Sequence, residues 1–258
     1  MPDASRDPRS RFTDRVDDYA RYRPGYPAAV LDVLRECGAI DGETVVADVG
    51  SGTGLSSALL LDAGCEVYGV EPNAAMRAAA ERILGGRARF HSRAGTAEAT
   101  GLPDRSVDCV IAGQAFHWFD PEAARLEFAR ILRPPGVVAL MWNTRRTATT
   151  PFLAAYEVLL QRYGTDYREV DHRKVTEDRL RAFFSGPYRT GVVPNAQLLD
   201  LEGLQGRLLS SSYTPSAGDP RRGPMLAALE RLFDACQEEG RVRIDYDTEV
   251  YVGRVGGM

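Results

Sequence analysis

The chain has 258 residues, of which 44% are hydrophobic and 26% are charged, an ordinary composition for one large globular domain or two small ones. Its formal net charge of −4 gives no electrostatic reason to expect nucleic acid as a partner. No run of 18 apolar residues is present, and residues 1–11 lack the apolar centre of a secretory signal. We therefore expect neither a membrane span nor export.

Two helices are predicted near the start, in an N-terminal lid and helix segment, 12–43, that follows a disordered terminus of residues 1–11. The second helix spans 27–37, between a proline and a glycine. The first helix has apolar residues at the spacing of a buried stripe: Phe12, Val16 and Tyr19.

Residues 44–143 alternate between predicted strands and helices. This alternation predicts an open, doubly wound α/β sheet. Asp120 and Pro121 mark the start of the helix before the fifth strand, since Asp caps helices and Pro suits their first position, and 134–136 ends it. The predicted strands are Thr44–Asp48, Glu66–Val70, Ala88–Ser92, Val107–Ala112 and Val137–Trp142.

The junction after the first strand indicates a ligand. Gly50, Gly52 and Gly54 let the main chain approach a ligand closely, because no Cβ intervenes. The dinucleotide fingerprint G-x-G-x-x-G fits poorly, since the pattern here is G-x-G-x-G. Glu71 lies 21 residues beyond Gly50, near the spacing of about 20 residues expected for an acid that binds a ribose diol. The sequence therefore predicts an adenosine-type ligand.

After Asn143 the pattern changes. Residues 144–240 predict a helical cap that contains one strand of the core sheet, and 241–258 the final core strand. That strand alternates apolar and charged residues, which predicts a half-exposed edge. The elements predicted here are a helix from Pro151 to Gly164, helices Glu177–Phe184, Gly203–Ser210 and Met225–Glu238, and strands Tyr188–Leu199 and Val242–Val252.

Residues 48–54, together with the Val-Glu-Pro-Asn of 70–73, resemble the cofactor site of class I S-adenosylmethionine-dependent methyltransferases. Two further segments match this family in the same order: 95–108 is similar to its adenine-side loop and fourth strand, and 132–136 to its L-R-P-G-G turn. The resemblance covers roughly Val45 to Met141. It implies a Rossmann-like, mostly parallel seven-stranded sheet with an antiparallel last strand and an inserted helical cap.

The same resemblance implies which residues bind S-adenosylmethionine. Tyr19 and Arg23 match a Y-x-x-x-R-P-x-Y-P sequence in which the Tyr covers the sulfonium and the Arg binds the carboxylate. The alternative is that Tyr19 simply packs in the core, as aromatic residues often do. Asp48 would hold the amides of the glycine turn. The complete implied set is Tyr19, Arg23, Asp48, Gly50, Ser51, Gly52, Gly54, Glu71, Pro72, Ala97, Glu98 and Gln114.

The segment 114–119 follows the fourth strand, where an acceptor is expected to meet the cofactor. It resembles the Q-x-x-H-W-F of a small-molecule branch that includes the trans-aconitate methyltransferases. The [N/D]-P-P-[Y/F] signature of transfer to amide or base nitrogens is missing. His117, beside Gln114, is a candidate general base, because an unperturbed imidazole with a pKa of about 6.5 is mostly neutral at pH 7. The alternative is a histidine that only packs.

Gln114 is the second catalytic candidate. Asn143, at the end of the fifth strand, is the third and would orient a polar group of the acceptor. Arg145 and Arg146 would bind an acidic substrate, with plain solvated arginines as the alternative. Tyr167 and His172 lie in the cap near this region.

The four cysteines, Cys37, Cys65, Cys109 and Cys236, form no C-x-x-C pair and have no histidine at metal-ligand spacing. We therefore expect free thiols in a cytoplasmic protein and no metal site.

These features predict an enzyme that transfers the sulfonium methyl group in line to a small acidic or planar molecule and releases S-adenosylhomocysteine. We expect a biosynthetic enzyme that is a monomer or homodimer. Three alternatives stay open. An enzyme resembling azetidine-2-carboxylate synthases would cyclise the cofactor and release methylthioadenosine. A non-catalytic S-adenosylmethionine sensor and an NAD oxidoreductase are the others, and the missing third fingerprint glycine weakens the last.

Overall fold

The computed structural model describes residues 16–167, 176–184 and 186–256. The predictions for residues 1–11, Phe12 and His172 lie outside these ranges. The helices are α1 Val16–Tyr22, α2 Ala29–Glu36, α3 Leu55–Asp62, α4 Ala74–Leu84, α5 Pro121–Ile131, α6 Pro151–Tyr163, α7 Glu177–Phe184, α8 Leu201–Leu209 and α9 Arg222–Cys236. The strands are β1 Val45–Val49, β2 Glu66–Val70, β3 Phe90–Arg93, β4 Val107–Gly113, β5 Leu132–Arg145, β6 Tyr188–Leu199 and β7 Val242–Gly253.

These strands form one seven-stranded sheet in the order β3-β2-β1-β4-β5-β7-β6. The first five strands are parallel to one another, whereas β7 is antiparallel to both β5 and β6. The predicted mostly parallel sheet with an antiparallel last strand is therefore confirmed. The strand order reverses between β1 and β4, which is the switch point where open α/β sheets bind ligands.

The position of the last strand differs from the prediction. Val242, Ile244 and Tyr246 are buried and alternate with more exposed neighbours, as the sequence pattern indicated. However, β7 lies between β5 and β6, so β6 is the edge of the sheet. The alternation shows that one face of β7 is buried. It does not indicate whether the backbone of β7 is hydrogen-bonded to other strands on both sides.

Both faces of the central strands are covered, which explains their continuous apolar sequences. One layer packs around Phe128, Trp142 and Phe183. The other packs around Leu34 and Leu60 of α2 and α3.

The helix starts follow their capping residues. Asn73 accepts hydrogen bonds from two amides of α4, and Asp120 does the same for α5, directly before Pro121. Thr150 caps α6 through the Leu153 amide. The end of α5 lies earlier than predicted, at Ile131, and β5 already includes the proline pair that was expected to end the helix.

The cap has its own core, in which α6, α8 and α9 pack against one end of β7. The lid helix α1 lies on α8, where the ring of Tyr22 packs directly against Gly206 and leaves no room for a Cβ. Tyr22 also donates a hydrogen bond from its hydroxyl to Glu202 on α8. Within the described residues, no helix has the length and apolar character that a membrane span requires.

Candidate active site

A cleft of about 460 Å³ opens at the carboxyl ends of β1, β2 and β4. Its volume falls in the range of small-molecule sites. Of the sequence-predicted residues, the cleft is lined by Tyr19, Gly50, Gly52, Glu71, Pro72, Ala97, Glu98 and Gln114. Arg23 and Ser51 line a narrower inner extension.

The floor of the cleft is the glycine turn between β1 and α3. Gly50 and Gly52 have φ angles of 70° and 57°, in the left-handed region that favours glycine. A Cβ on Gly50 would lie 2.6 Å from the Cβ of Ala115, so this position has no room for a side chain. Gly54 has a different role, because a Cβ there would meet Leu84 of α4 outside the cleft.

The carboxylate of Glu71 closes one side of this turn. One oxygen accepts the Gly52 amide at 2.9 Å, and the other accepts the Asn73 amide at 2.8 Å. Glu71 is 8% exposed, and burial raises its pKa in spite of these hydrogen bonds. Its carboxylate therefore stabilises the turn while it remains on the cleft wall.

Asp48 lies beneath the turn and does not line the cleft. Its side chain accepts hydrogen bonds from the hydroxyls of Ser56 (2.7 Å) and Ser57 (2.6 Å) at the start of α3. Burial raises the pKa of Asp48 despite both bonds. The structure thus gives Asp48 a supporting position, in which it holds the beginning of α3.

The outer half of the cleft has apolar walls. Pro72 and Met76 lie at the start of α4, and Trp118 and Phe119 follow β4. Met76 was not predicted as a site residue, whereas Trp118 and Phe119 belong to the segment 114–119 that was expected at this crevice. Glu98 accepts the Asp120 amide at 3.0 Å, which ties the adenine-side loop to α5.

The inner extension is closed by the lid. The guanidinium of Arg23 lies 4.9 Å from the ring centre of Tyr19, and its Nη2 donates to the carbonyl of Ser210. Its Nε is buried without a hydrogen-bond partner among the described residues. Tyr26 lines the same space, where its ring packs against Gly113. The inner end thus contains a buried guanidinium whose Nε has no hydrogen-bond partner among the described residues.

Gln114 lies where the two parts of the cleft meet. Its φ of 56° places a non-glycine residue in the left-handed region, a conformation that costs about 1–3 kcal/mol and often marks functional sites. Its main-chain amide donates to the carbonyl of Met141, and its side-chain Nε2 donates to the carbonyl of Asn143. The side chain is thereby held at the end of β4.

Comparison with known proteins identifies this part of the chain. A family profile described as "Methyltransferase domain" matches residues 47–140, which run from β1 into β5 and include the glycine turn and Glu71. This part of the chain is therefore similar to methyltransferase domains.

Its relatives agree. An uncharacterised methyltransferase of Mycobacterium tuberculosis is 39% identical over 149 residues, which span 56% of this chain and 57% of that protein. An uncharacterised methyltransferase-like protein of Schizosaccharomyces pombe is 28% identical over 93% of each chain. A solved Anaeromyxobacter dehalogenans protein, provisionally named a type II methyltransferase, has a TM-score of 0.68 at 26% identity, over 92% of this chain and 100% of its own. Domain, relatives and fold support an enzyme of the class I methyltransferases.

Two predicted catalytic residues, Asn143 and His117, do not line the cleft. Asn143 donates from its amide to the carbonyls of Pro24 and Gly25, and its oxygen accepts from Thr248 and Asn195. Its polar groups therefore anchor the loop between α1 and α2, a placement that differs from the expected contact with an acceptor.

His117 lies on a short 3-10 turn, Phe116–Trp118, with its ring 4.9 Å from that of Trp118. Trp118 and Phe119 line the cleft, whereas His117 does not. The turn explains the difference, because neighbouring residues of a 3-10 helix point in different directions. As a result, Trp118 and Phe119 face the cleft and His117 does not.

The two arginines after β5 differ in their surroundings. Arg146 pairs with Asp247 at the surface. Arg145 is buried, pairs with Glu157 and stacks on Tyr156, with Tyr167 hydrogen-bonded to both members of the ion pair. Within the described residues, no cluster of three or more histidine, cysteine or acidic side chains is arranged to bind a metal ion.

Proposed function

We propose that the protein transfers the methyl group of S-adenosylmethionine to a small molecule. The observation that carries this proposal is the buried carboxylate of Glu71 on the cleft wall of a methyltransferase domain. Each carboxylate oxygen accepts one main-chain amide, and each has a second acceptor site available for one hydroxyl of a ribose diol. This arrangement of acceptors fits the ribose of the cofactor.

The rest of the cleft fits the same molecule. The apolar walls formed by Met76 and Phe119 suit an adenine ring, beside the loop that contains Ala97 and Glu98. At the other end, the buried Nε of Arg23 is a donor for the amino acid carboxylate. When bound, the cofactor supplies an electrophilic methyl group on a sulfonium, and the ring of Tyr19 offers that cation an aromatic face.

The chain contributes alignment. The lid and cap cover the inner end of the cleft, which keeps water away from the reacting atoms and favours a small acceptor over a macromolecule. The strained backbone of Gln114 fixes its side chain next to this end. Correct in-line placement can lower a barrier by about 7–11 kcal/mol, so methyl transfer does not require a base in direct contact. The names of the relatives do not favour the methylthioadenosine-releasing alternative.

Isothermal titration calorimetry with S-adenosylhomocysteine tests the proposal. We expect the wild-type protein to bind it, and Glu71→Ala to bind about 10–100-fold more weakly, because hydrogen bonds to a charged group are lost. Glu43→Ala removes an exposed acid near β1 and is the matched control, with unchanged affinity expected.

Two results would contradict the proposal: absence of binding by the wild-type protein, or equal affinity in Glu71→Ala. Mass spectrometry after incubation with S-adenosylmethionine separates the reactions. Methylthioadenosine above the protein-free level would favour cyclisation of the cofactor over methyl transfer.

A further inference from the structure

A second cluster of charges lies in the cap, behind the inner end of the cleft. Arg145 comes from the end of β5, Arg207 from α8 and Arg23 from the residue after α1. All three lie close enough to Tyr213 to change the pKa of its phenol. Burial raises this pKa, but the three positive charges outweigh burial and hold it below its usual value. Three guanidinium groups therefore lie close to one phenol.

Only one of these charges is neutralised by a carboxylate in the described part of the chain. Arg145 and Glu157 form a mostly buried ion pair, with 10% of the Arg145 side chain and 13% of the Glu157 side chain exposed. Arg145 nevertheless keeps Nη1 buried and without a hydrogen-bond partner among the described residues.

Arg207 is 6% exposed and has neutral partners. Its Nε donates to the hydroxyl of Tyr246 at 3.1 Å, and its Nη1 donates to the hydroxyl of Ser211 at 2.9 Å. Arg23 donates to a carbonyl. Across residues 16–167, 176–184 and 186–256, neither Arg207 nor Arg23 forms an ion pair with an acid.

Such an arrangement lowers the stability of the fold. A buried ion costs several kcal/mol in desolvation, and an apolar side chain of similar size is often neutral or stabilising in its place. Buried charges of this kind cluster at functional sites. The two unneutralised arginines are therefore better explained by an anionic ligand than by packing.

The cluster adjoins the inner extension of the cleft through Arg23. Arg23 lines the inner extension beside Gln114, and its guanidinium contacts the carbonyl of Ser210. The next residue, Ser211, holds Arg207. Arg207 thus lies directly behind the group expected to bind the methionine carboxylate.

We propose that the methyl acceptor carries a carboxylate that binds to Arg207. The inference rests on the proposed function, in which Arg23 binds the carboxylate of the cofactor. One unneutralised guanidinium then remains, and it matches a singly charged carboxylate better than a doubly charged phosphate. The rings of Tyr213 and Tyr246 next to Arg207 favour a flat or aromatic acid.

Thermal unfolding of the complex with S-adenosylhomocysteine tests this inference. The probes are benzoate and benzamide, which have nearly the same shape and differ in charge, with acetate and acetamide as a smaller pair. We expect the acids to raise the unfolding temperature of the wild-type complex and the amides to leave it unchanged. In Arg207→Met we expect the shift from the acids to disappear, with affinity for benzoate about 10–100-fold lower by calorimetry.

Arg231→Met removes the same charge from an exposed position on α9 and is the matched control. It is expected to keep the wild-type response. A purely structural role for Arg207 would instead lower the stability of Arg207→Met without any difference between acid and amide.

The inference fails if acids and amides behave alike in the wild-type protein, or if Arg207→Met keeps the response to benzoate. The wild-type comparison needs no variant, so the inference can fail even if Arg207→Met does not fold. Binding of S-adenosylhomocysteine separates the two proposals: its absence contradicts the proposed function, whereas normal binding without preference for acids contradicts only the acceptor class.

Discussion

The cleft and the cap hold their charged groups in opposite ways. In the cleft, main-chain amides of Gly52 and Asn73 surround the carboxylate of Glu71, so the site is acidic and built largely from backbone. In the cap, the guanidinium group of Arg207 is held by the hydroxyls of Tyr246 and Ser211, so this region is basic and built from side chains.

This contrast fits two tasks. A nucleoside has hydroxyls and ring edges that a rigid turn and one acid can bind, and such a site needs few specialised side chains. An acceptor must be selected by its own chemistry, for which long side chains on separate cap elements are suited. We infer that the methyltransferase core fixes the cofactor and that the cap determines the acceptor.

The largest expected effect is at the floor of the cleft. Gly50→Ala would place a methyl group against Ala115 in a left-handed conformation. Backbone strain and overpacking together predict a loss of about 2–5 kcal/mol in the free energy of unfolding. Denaturant unfolding measures this loss, and calorimetry with S-adenosylhomocysteine is expected to show little binding. Gly42→Ala, where the added Cβ meets nothing within 4 Å, is the control. Equal behaviour of the two variants would contradict the close approach described for the turn.

A smaller effect is expected where the lid meets the cap. Gly206→Ala would displace the ring of Tyr22 and with it α1. We expect the free energy of unfolding to fall by about 1–3 kcal/mol, partly offset by the better helix propensity of alanine. Binding of S-adenosylhomocysteine is expected to weaken as well, because Tyr19 and Arg23 belong to the displaced segment. Gly223→Ala, with open space around its Cβ, is the control. Unchanged affinity of Gly206→Ala for S-adenosylhomocysteine would contradict the placement of Tyr19 and Arg23 at the cofactor.

The smallest effect is a pH dependence from Asp48. Burial raises its pKa, so the folded protein binds its proton more tightly than the unfolded chain does. The free energy of unfolding therefore contains a contribution that is present below the usual carboxyl pKa and is lost as pH rises through the raised value, about 1.4 kcal/mol for each pH unit of the shift. In Asp48→Asn this decline is expected to vanish in urea unfolding between pH 4 and 7. Asp234→Asn, at an exposed position, is the control, and an unchanged pH profile in Asp48→Asn would contradict the assignment.

Much of the core was predictable, because its signals are local. Strands Glu66–Val70 and Tyr188–Leu199 match the predicted bounds, and Asp120 and Thr150 cap the helices that follow them. A glycine turn and an acid at a fixed spacing lie within one βαβ unit, so Glu71 reached the cleft as expected.

The remaining site depended on distant contacts. Asn143 was expected to face the acceptor, but four partners from other segments satisfy its amide. The sequence did not indicate a role for Arg207, because an arginine that becomes buried cannot be distinguished in a sequence from a solvated one. Only the packing of α8 against β7 shows that its neighbours are hydroxyls rather than water.

The most direct test of the division between core and cap is a crystal structure with S-adenosylhomocysteine. We predict the ribose hydroxyls within hydrogen-bond distance of Glu71, the adenine between the apolar walls near Met76 and Phe119, and the amino acid carboxylate at Arg23, with Arg207 not in contact with the ligand. A ribose away from Glu71, or a cofactor carboxylate on Arg207, would contradict the account.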